Sequence, residues 1–255
     1  MKAFTPQFLH FDSLPSTNVE AASRAVAGGL EGLCIVASEQ TAGRGRLDRH
    51  WASPKGAGLY CSTIFRPRFD QNLWPLLTLI AAVAVHDALL DTFGLETDIK
   101  WPNDILVNEK KLCGILAETI DTPLGRAVIL GIGINLKDNA FPAELDGVAT
   151  SVEAAAGRSE DPQVVLEALI DLVARYYQML QRPGGSEEIV REWSMRSSYA
   201  NGKLIRVRNG EEVLEGTTRG LERDGALRIE TVSGEIKSVR AGDVEAVRSV
   251  ISQSL

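Results

Sequence analysis

Residues 43–49 read Gly-Arg-Gly-Arg-Leu-Asp-Arg, three arginines and two glycines within seven positions of a chain whose net charge is -7. Glycine reaches backbone conformations closed to most residues, so a main chain rich in it can fold closely round a guest. Arginine contributes a planar fork of donors that matches phosphate and carboxylate. The combination predicts a loop that takes an anionic ligand, against the competing reading of a basic but merely solvated turn. Nothing in the sequence assigns the three guanidinium groups an intramolecular partner, so the segment is expected to stay open until a ligand orders it.

Other segments add polar residues suited to the same task. Residues 100–104 read Lys-Trp-Pro-Asn-Asp and residues 111–114 read Lys-Leu-Cys-Gly. Ser16-Thr17-Asn18, Gln40, Trp51 with Ser53-Pro54, and Gly131-Ile132-Gly133-Ile134-Asn135 complete the set. In this order and spacing the segments resemble the biotin protein ligase family over nearly the whole chain. The resemblance implies an α+β fold. A mixed-sheet catalytic domain, related to class II synthetases and lipoate ligases, would span residues 1–199, and a small SH3-like β-barrel residues 200–255. The implied activity is ATP-dependent formation of biotinyl-5′-adenylate and transfer of biotin to one lysine of a biotin carboxyl carrier domain. A lipoate or octanoate transferase of related fold and a non-catalytic regulator responsive to biotin or nucleotide are the alternatives.

Site residues follow from the same resemblance. Ser16, Thr17, Asn18, Gln40, Gly43, Arg44, Gly45, Arg46, Trp51, Lys111 and Gly114 would surround biotin. Arg44, Arg46, Arg49, Lys100, Asn103, Asp104, Lys111, Gly133 and Asn135 would meet ATP, with Asp104 a candidate Mg2+ ligand. Lys111, Arg46 and Arg49 would be catalytic, Lys111 at the biotin carboxylate and the α-phosphate. One position departs from the family pattern, because Asp48 stands where the loop usually has its third glycine. Aspartate tolerates left-handed geometry better than most residues, while its charge offsets part of the arginine field.

Joining a carboxylic acid to an amine in water needs a better leaving group than hydroxide. ATP supplies one when the carboxylate attacks the α-phosphorus and pyrophosphate departs, leaving a mixed anhydride. Repulsion between carboxylate and polyphosphate opposes that approach, and fixed cations relieve it in the transition state. Each charge-assisted hydrogen bond contributes about 1.5–3 kcal/mol. The set Arg44, Arg46, Arg49, Lys100 and Lys111 therefore needs no enzyme nucleophile beside it. A neutral ring bearing donors and acceptors calls for partners such as Ser16 and Gln40. Plainer readings stand beside these: Lys111 as an exposed hairpin lysine, Asp104 as a turn residue, Trp101 as a core aromatic. Trp51, close behind the loop, reads as a wall over the ligand. The segment at residues 131–133 lacks the third glycine and following helix of a dinucleotide fingerprint. Its glycines are read as admitting the nucleotide, with Asn135 bonded to it.

Composition sets the frame. With 255 residues, 44% hydrophobic and 24% charged, the chain can bury a large core. An isoelectric point near 5.1 argues against a nonspecific nucleic-acid binder. There is no room before Phe11 for a helix-turn-helix domain, so DNA is not an expected partner. Cys34, Cys61 and Cys113 are odd in number and lack CxxC spacing, which disfavours a disulfide framework or a zinc site. No signal-like h-region is evident, and no stretch is expected to approach the about 18 apolar residues of a membrane span. The expectation is a cytoplasmic enzyme off the membrane, with a homodimer left open.

The elements that must position these residues are partly legible. Thr17-Asn18-Val19-Glu20 fits a capping box at a helix start, and Gly28-Gly29 a stop. Residues 33–37 and 59–65 read as strands with the basic loop between them. Residues 76–90, apolar on nearly every face, predict a helix buried by the sheet, with His86 a structural histidine. Residues 105–107 and 112–117 read as a hairpin about residues 108–111; residues 128–136 form a further strand, and Asp161-Pro162 opens a long helix. Beyond Tyr199, short β-prone runs at residues 204–207, 213–218, 226–231 and 236–239 alternate with Asn209-Gly210, Asp224-Gly225 and Ser233-Gly234. That rhythm suggests a small antiparallel barrel.

Overall fold

The computed structural model describes residues 4–138 and 143–247. Seven strands form the larger sheet: β1 (Gln7–Phe11), β2 (Leu33–Ala37), β3 (Gly58–Phe65), β4 (Asp98–Lys100), β5 (Asp104–Val107), β6 (Lys110–Ile120) and β7 (Ala127–Asn135). Their spatial order is β1-β2-β3-β7-β6-β5-β4. The β1–β2 pair is parallel and the others antiparallel, so the sheet is mixed. Five helices accompany it: α1 (Thr17–Val26), α2 (Leu76–Phe93), α3 (Val152–Ala156), α4 (Pro162–Leu180) and α5 (Gly185–Met195).

Strand alternation sorts the core into two layers. Ile35, Ile64, Ala127 and Ile129 meet Ala21 and Ala25 of α1 on one face. Cys34, Cys61, Phe65, Val128 and Leu130 look the other way, into a core shared with α2, α4 and α5. Helix α2 contributes twelve buried residues to that layer; at about 1.5–3 kcal/mol for each large apolar side chain, it is the main pillar of the fold. Its length and composition, taken with the preceding turn from Gln71, would suffice to cross a membrane. The expectation that no stretch comes near such a length is thereby corrected, and most of this one is enclosed by protein. His86 has the structural role expected of it, with Nδ1 2.9 Å from Thr97 Oγ1. Burial lowers its pKa against the opposing pull of Asp87.

The capping box at α1 does not form. Ser16 takes the N-cap position without a side-chain cap bond, because Thr17 Oγ1 is bonded to Gln40 Oε1 and Glu20 pairs with Arg24 at 2.7 Å. The stop is as read, with Gly28 at φ 93°. Asp161 caps α4 by accepting from the Gln163 amide at 2.9 Å. The short edge strands β1 and β4 and helices α3 and α5 are additions to the elements read from the sequence.

A second, five-stranded antiparallel sheet follows: β8 (Asn201–Asn209), β9 (Glu212–Leu221), β10 (Leu227–Glu230), β11 (Ile236–Val239) and β12 (Asp243–Ala246), in the order β11-β10-β9-β8-β12. Strand β12 was not anticipated, and residues 248–255 lie outside the described ones. The two sheets are joined where Trp101, 2% exposed, donates from Nε1 to the Gly225 carbonyl at 3.0 Å. Trp101 is thus the core aromatic expected.

Candidate active site

Helix α1 covers only half of its sheet face. On β7, Ala127 and Ile129 lie beneath it, while Gly131, Gly133 and Asn135, at the same two-residue spacing, floor an open cavity of about 290 Å³. That volume is near the about 300 Å³ lower bound of small-molecule sites. Gly114 and Leu116 of β6 extend the floor, and the N-terminal residues Ser16, Thr17 and Asn18 of α1 face it.

The α1 flank is a closed polar network. Gln40 Oε1 accepts from Thr17 N at 2.8 Å and Thr17 Oγ1 at 3.1 Å, and Gln40 Nε2 donates to Ser53 Oγ at 2.8 Å. Ser62 Oγ lies 2.7 Å from Thr17 Oγ1 and 2.6 Å from Asn18 Oδ1. Asn18 Nδ2 donates to Glu118 Oε2 at 2.8 Å. Ser16, Thr17 and Asn18 are each no more than 5% exposed. Ser62, which completes the network, sits on β3 and was not singled out from sequence. The network also needs Gly131, since a Cβ there would strike the Asn18 side chain.

Lys111 reaches the cavity through an irregularity in the β5–β6 hairpin. The turn is tight, with Asn108 and Glu109 at φ 49° and 64°, the signs a two-residue hairpin turn requires. Beyond it Leu106 pairs with Lys111 and Ile105 with Cys113, leaving Leu112 as an extra residue. Such a bulge shifts the alternation by one. Lys111 thus joins Gly114 and Leu116 in the cavity lining, while Leu112 and Cys113 are fully buried. Lys111 Nζ lies 2.5 Å from Asp104 Oδ1 and 5.4 Å from the centre of the Trp51 ring. Its main chain is held by residues 148–150, with Lys111 N donating to the Val148 carbonyl and Thr150 N donating to that of Lys111, both at 2.9 Å. Burial pushes the neighbouring Cys113 thiol up, away from thiolate reactivity.

Gly114 and Gly133 face each other across β6 and β7, and together they leave a flat window in the sheet. Trp51 lies on it: a Cβ on Gly114 would stand 3.0 Å from the indole, one on Gly133 2.5 Å from its Nε1. Trp51 is therefore a wall of the cavity, as expected, but the approach that Gly133 permits is made by the indole and not left open to nucleotide. Asn135 likewise donates to the Thr150 carbonyl at 3.1 Å, which ties down residues 148–150.

The largest correction concerns the arginines. Each has an intramolecular partner. Arg44 pairs with Glu118 at 3.0 Å, Arg46 donates to Asn103 Oδ1 at 3.0 Å, and Arg49 contacts the Asp243 carboxylate. The loop is a closed hairpin, with Gly45 N bonded to the Arg49 carbonyl at 2.7 Å and Trp51 N to that of Gly43 at 2.9 Å. Asp48 adopts the left-handed φ of 57° that its side chain tolerates, beside Leu47 at φ 54°. Burial lowers the Arg46 pKa, with Asp243 and Asp104 opposing. The acids that pair with the loop lie far along the chain, so local sequence could not reveal them.

Two expected site residues are outside the cavity lining, Gly43 and Lys100. Gly43 packs against the Trp51 main chain and the Ser53 hydroxyl. Lys100 is paired with Asp104, hence on the same sheet face but one strand further out, at the edge. Residues that do line the cavity without having been singled out are His50, Ala52, Ile115, Leu116, Leu145, Val148, Ala149 and Asp243. Alternation from Gly114 points to Leu116; no local signal marks the others.

For a magnesium ion, Asp104 Oδ1 is a buried oxygen without a hydrogen bond, its neighbour being the Lys111 ammonium. No cluster of three ligating side chains exists among the described residues. A single carboxylate is what magnesium requires of a protein where phosphate oxygens and waters supply its other ligands, so Asp104 fits that role.

Fold and cavity together define an α+β enzyme of the acid-activating kind, in which buried neutral groups and paired cations line one chamber. The chain belongs to the biotin/lipoate A/B protein ligase family, whose model matches residues 8–135; a biotin protein ligase C-terminal domain model matches residues 202–246. The bifunctional ligase/repressor BirA of Bacillus subtilis is 39% identical over 242 residues, covering 93% of this chain and 73% of that protein. The biotin–[acetyl-CoA-carboxylase] ligase of Paracoccus denitrificans is 35% identical over 227 residues, 86% of this chain and 92% of that one. Among solved structures, the biotin protein ligase of Aquifex aeolicus in complex with biotin and ATP has a TM-score of 0.83 at 28% identity, over 96% of this chain and all of that one.

Proposed function

We propose that this protein is a biotin protein ligase that activates biotin with ATP as biotinyl-5′-adenylate and transfers it to a lysine of a biotin carboxyl carrier domain. The observation that carries the reading is the cavity's two-part lining. Ser16, Thr17 and Asn18, all buried, and the half-buried Gln40 offer neutral donors and acceptors for a cyclic urea. Lys111, Arg46 and Arg49 line the same chamber and suit a carboxylate meeting a phosphate. Lys111 is assigned to the reacting carboxylate and α-phosphate, and Trp51 covers the chain between. Arg44, Asn103 and Asp104 are assigned to the nucleotide side; bound at Asp104, magnesium would shield phosphate charge. A lipoate or octanoate substrate would present no urea to the α1 flank and would leave it unused.

The reading assigns residues 1–199 to catalysis and residues 200–255 to the second domain. The acidic balance and three buried free cysteines support a cytoplasmic enzyme that does not bind DNA; a homodimer is compatible with it. Incubation with ATP, magnesium, biotin and a carrier domain, followed by intact mass, tests the assignment. Addition of one biotinyl group to the carrier is the expected result, and an unmodified carrier would refute it.

A further inference from the structure

Three carboxylates stand on the cavity's cations: Asp104 on Lys111, Glu118 on Arg44 and Asp243 on Arg49. Asp104 and Glu118 belong to the larger sheet. Asp243 comes from the other one, at the first position of β12, and it lines the cavity beside Arg49. The residue before it reinforces the contact, since the Gly242 carbonyl accepts from Arg46 Nη1 at 3.4 Å. Gly242 holds φ 145°, and a Cβ there would lie 2.6 Å from Val207 Cγ1. Only glycine brings this corner so close to the loop.

We propose that Asp243 is a positioning residue of the nucleotide site: it docks Arg49, and with it residues 43–50, on the C-terminal domain when no nucleotide is bound, and yields the guanidinium to the phosphates of ATP. The proposal rests on the ligase reading given above. Carboxylate and phosphate compete for the same planar fork of donors, so one displaces the other without a change in arginine geometry. The Arg49–Asp243 pair is also of the exchangeable kind. Arg49 is 66% and Asp243 27% exposed, and solvated pairs are weak enough to give way. Glu118 is held differently, being bonded to Asn18 within the buried network as well as to Arg44. It stays in place while Asp243 lets go.

Asp243→Asn keeps the shape and removes the charge. In biotin-dependent pyrophosphate exchange, the KM for ATP should fall about two- to fivefold, the worth of a solvated ion pair, with the effect on KM and not on kcat. Amide hydrogen exchange across residues 43–50 of the nucleotide-free variant should quicken. Asp243→Glu, which restores the charge, should return both toward wild type, as a merely structural role would not. An unchanged or raised KM for ATP in Asp243→Asn, or loop exchange equal to wild type, would overturn the proposal. Wild-type protein without any biotin-dependent exchange would instead remove the ligase reading, and loop exchange in the ligand-free variants would still decide the contact.

Discussion

The two flanks of the cavity solve opposite problems. On the α1 flank the polar groups are bonded to one another through Gln40, Thr17, Ser62 and Asn18, most of them buried, and form a fixed neutral surface before any ligand arrives. On the other flank Lys111, Arg44 and Arg49 are each matched by an acid, which on the proposed reading is displaced or shared when a phosphate enters. A neutral ligand group offers modest energy per contact, so its site gains from rigidity. An anion offers more, and the unliganded cations would repel one another if left bare. Preorganisation serves the first flank and self-neutralisation the second.

The largest effect should come from breaking the charged flank at its centre. Lys111→Ala removes the cation assigned to the reacting carboxylate and should slow biotin-dependent pyrophosphate exchange by about 100- to 1,000-fold, the scale of a lost transition-state donor. Its melting temperature should fall only slightly, since the lysine side chain, 35% exposed, adds little packing and its pair with Asp104 is part-solvated. Exchange near the wild-type rate would remove Lys111 from the mechanism.

The rigid flank is broken by Gly131→Ala. The new methyl group takes the place of the Asn18 side chain, whose bonds to Ser62 and Glu118 are lost at about 1–3 kcal/mol. Biotin affinity by calorimetry should weaken about 5- to 100-fold, and the melting temperature should drop as well, in contrast to Lys111→Ala. A variant that binds biotin normally would show that the network is not needed in its observed form.

Arg46→Gly sharpens the comparison by loosening the loop. Arg46 tethers it to Asn103 and to Gly242, and loss of one charged hydrogen bond of about 1.5–3 kcal/mol raises the open population about tenfold or more. Activated biotin should then escape and acylate unrelated lysines, mapped by mass spectrometry on a lysine-rich bystander protein. Adenylation with labelling still confined to the carrier would show that Arg46 does not retain the intermediate. The smallest effect is expected from ligand binding itself. Residues 43–51 already form a closed hairpin with paired arginines, so biotin with ATP should add protection from hydrogen exchange there without converting a coil into structure. Equal exchange with and without the ligands would contradict a loop that tightens on binding.

What the sequence made legible follows from the range of each interaction. The helix at Leu76–Phe93 and the strand at Ala127–Asn135 announce themselves by apolar runs that need no distant partner. Strands β1 and β4, five and three residues long, carry too little pattern to be seen. The same rule divides the site. Lys111, Trp51 and the arginine loop stand out by residue type, whereas the pairing of Arg49 with Asp243 spans 194 positions and exists only once the second sheet is in place. Glycines misled in a particular way: Gly133 correctly signals a close approach, but the group that comes close is the protein's own Trp51.

The extra residue at Leu112 gives the hairpin a parity. Along a regular strand, Lys111 and Gly114 would occupy opposite faces, and the lysine would point toward the core where Leu112 and Cys113 now lie. A single insertion or deletion between Asn108 and Gly114 therefore reverses the side on which the ammonium emerges, whatever residue types are kept. In a strand, identity alone does not conserve a functional side chain; its count from the turn must be odd or even as the bulge dictates. Recombining this hairpin with that of a relative would have to preserve the count before the letters.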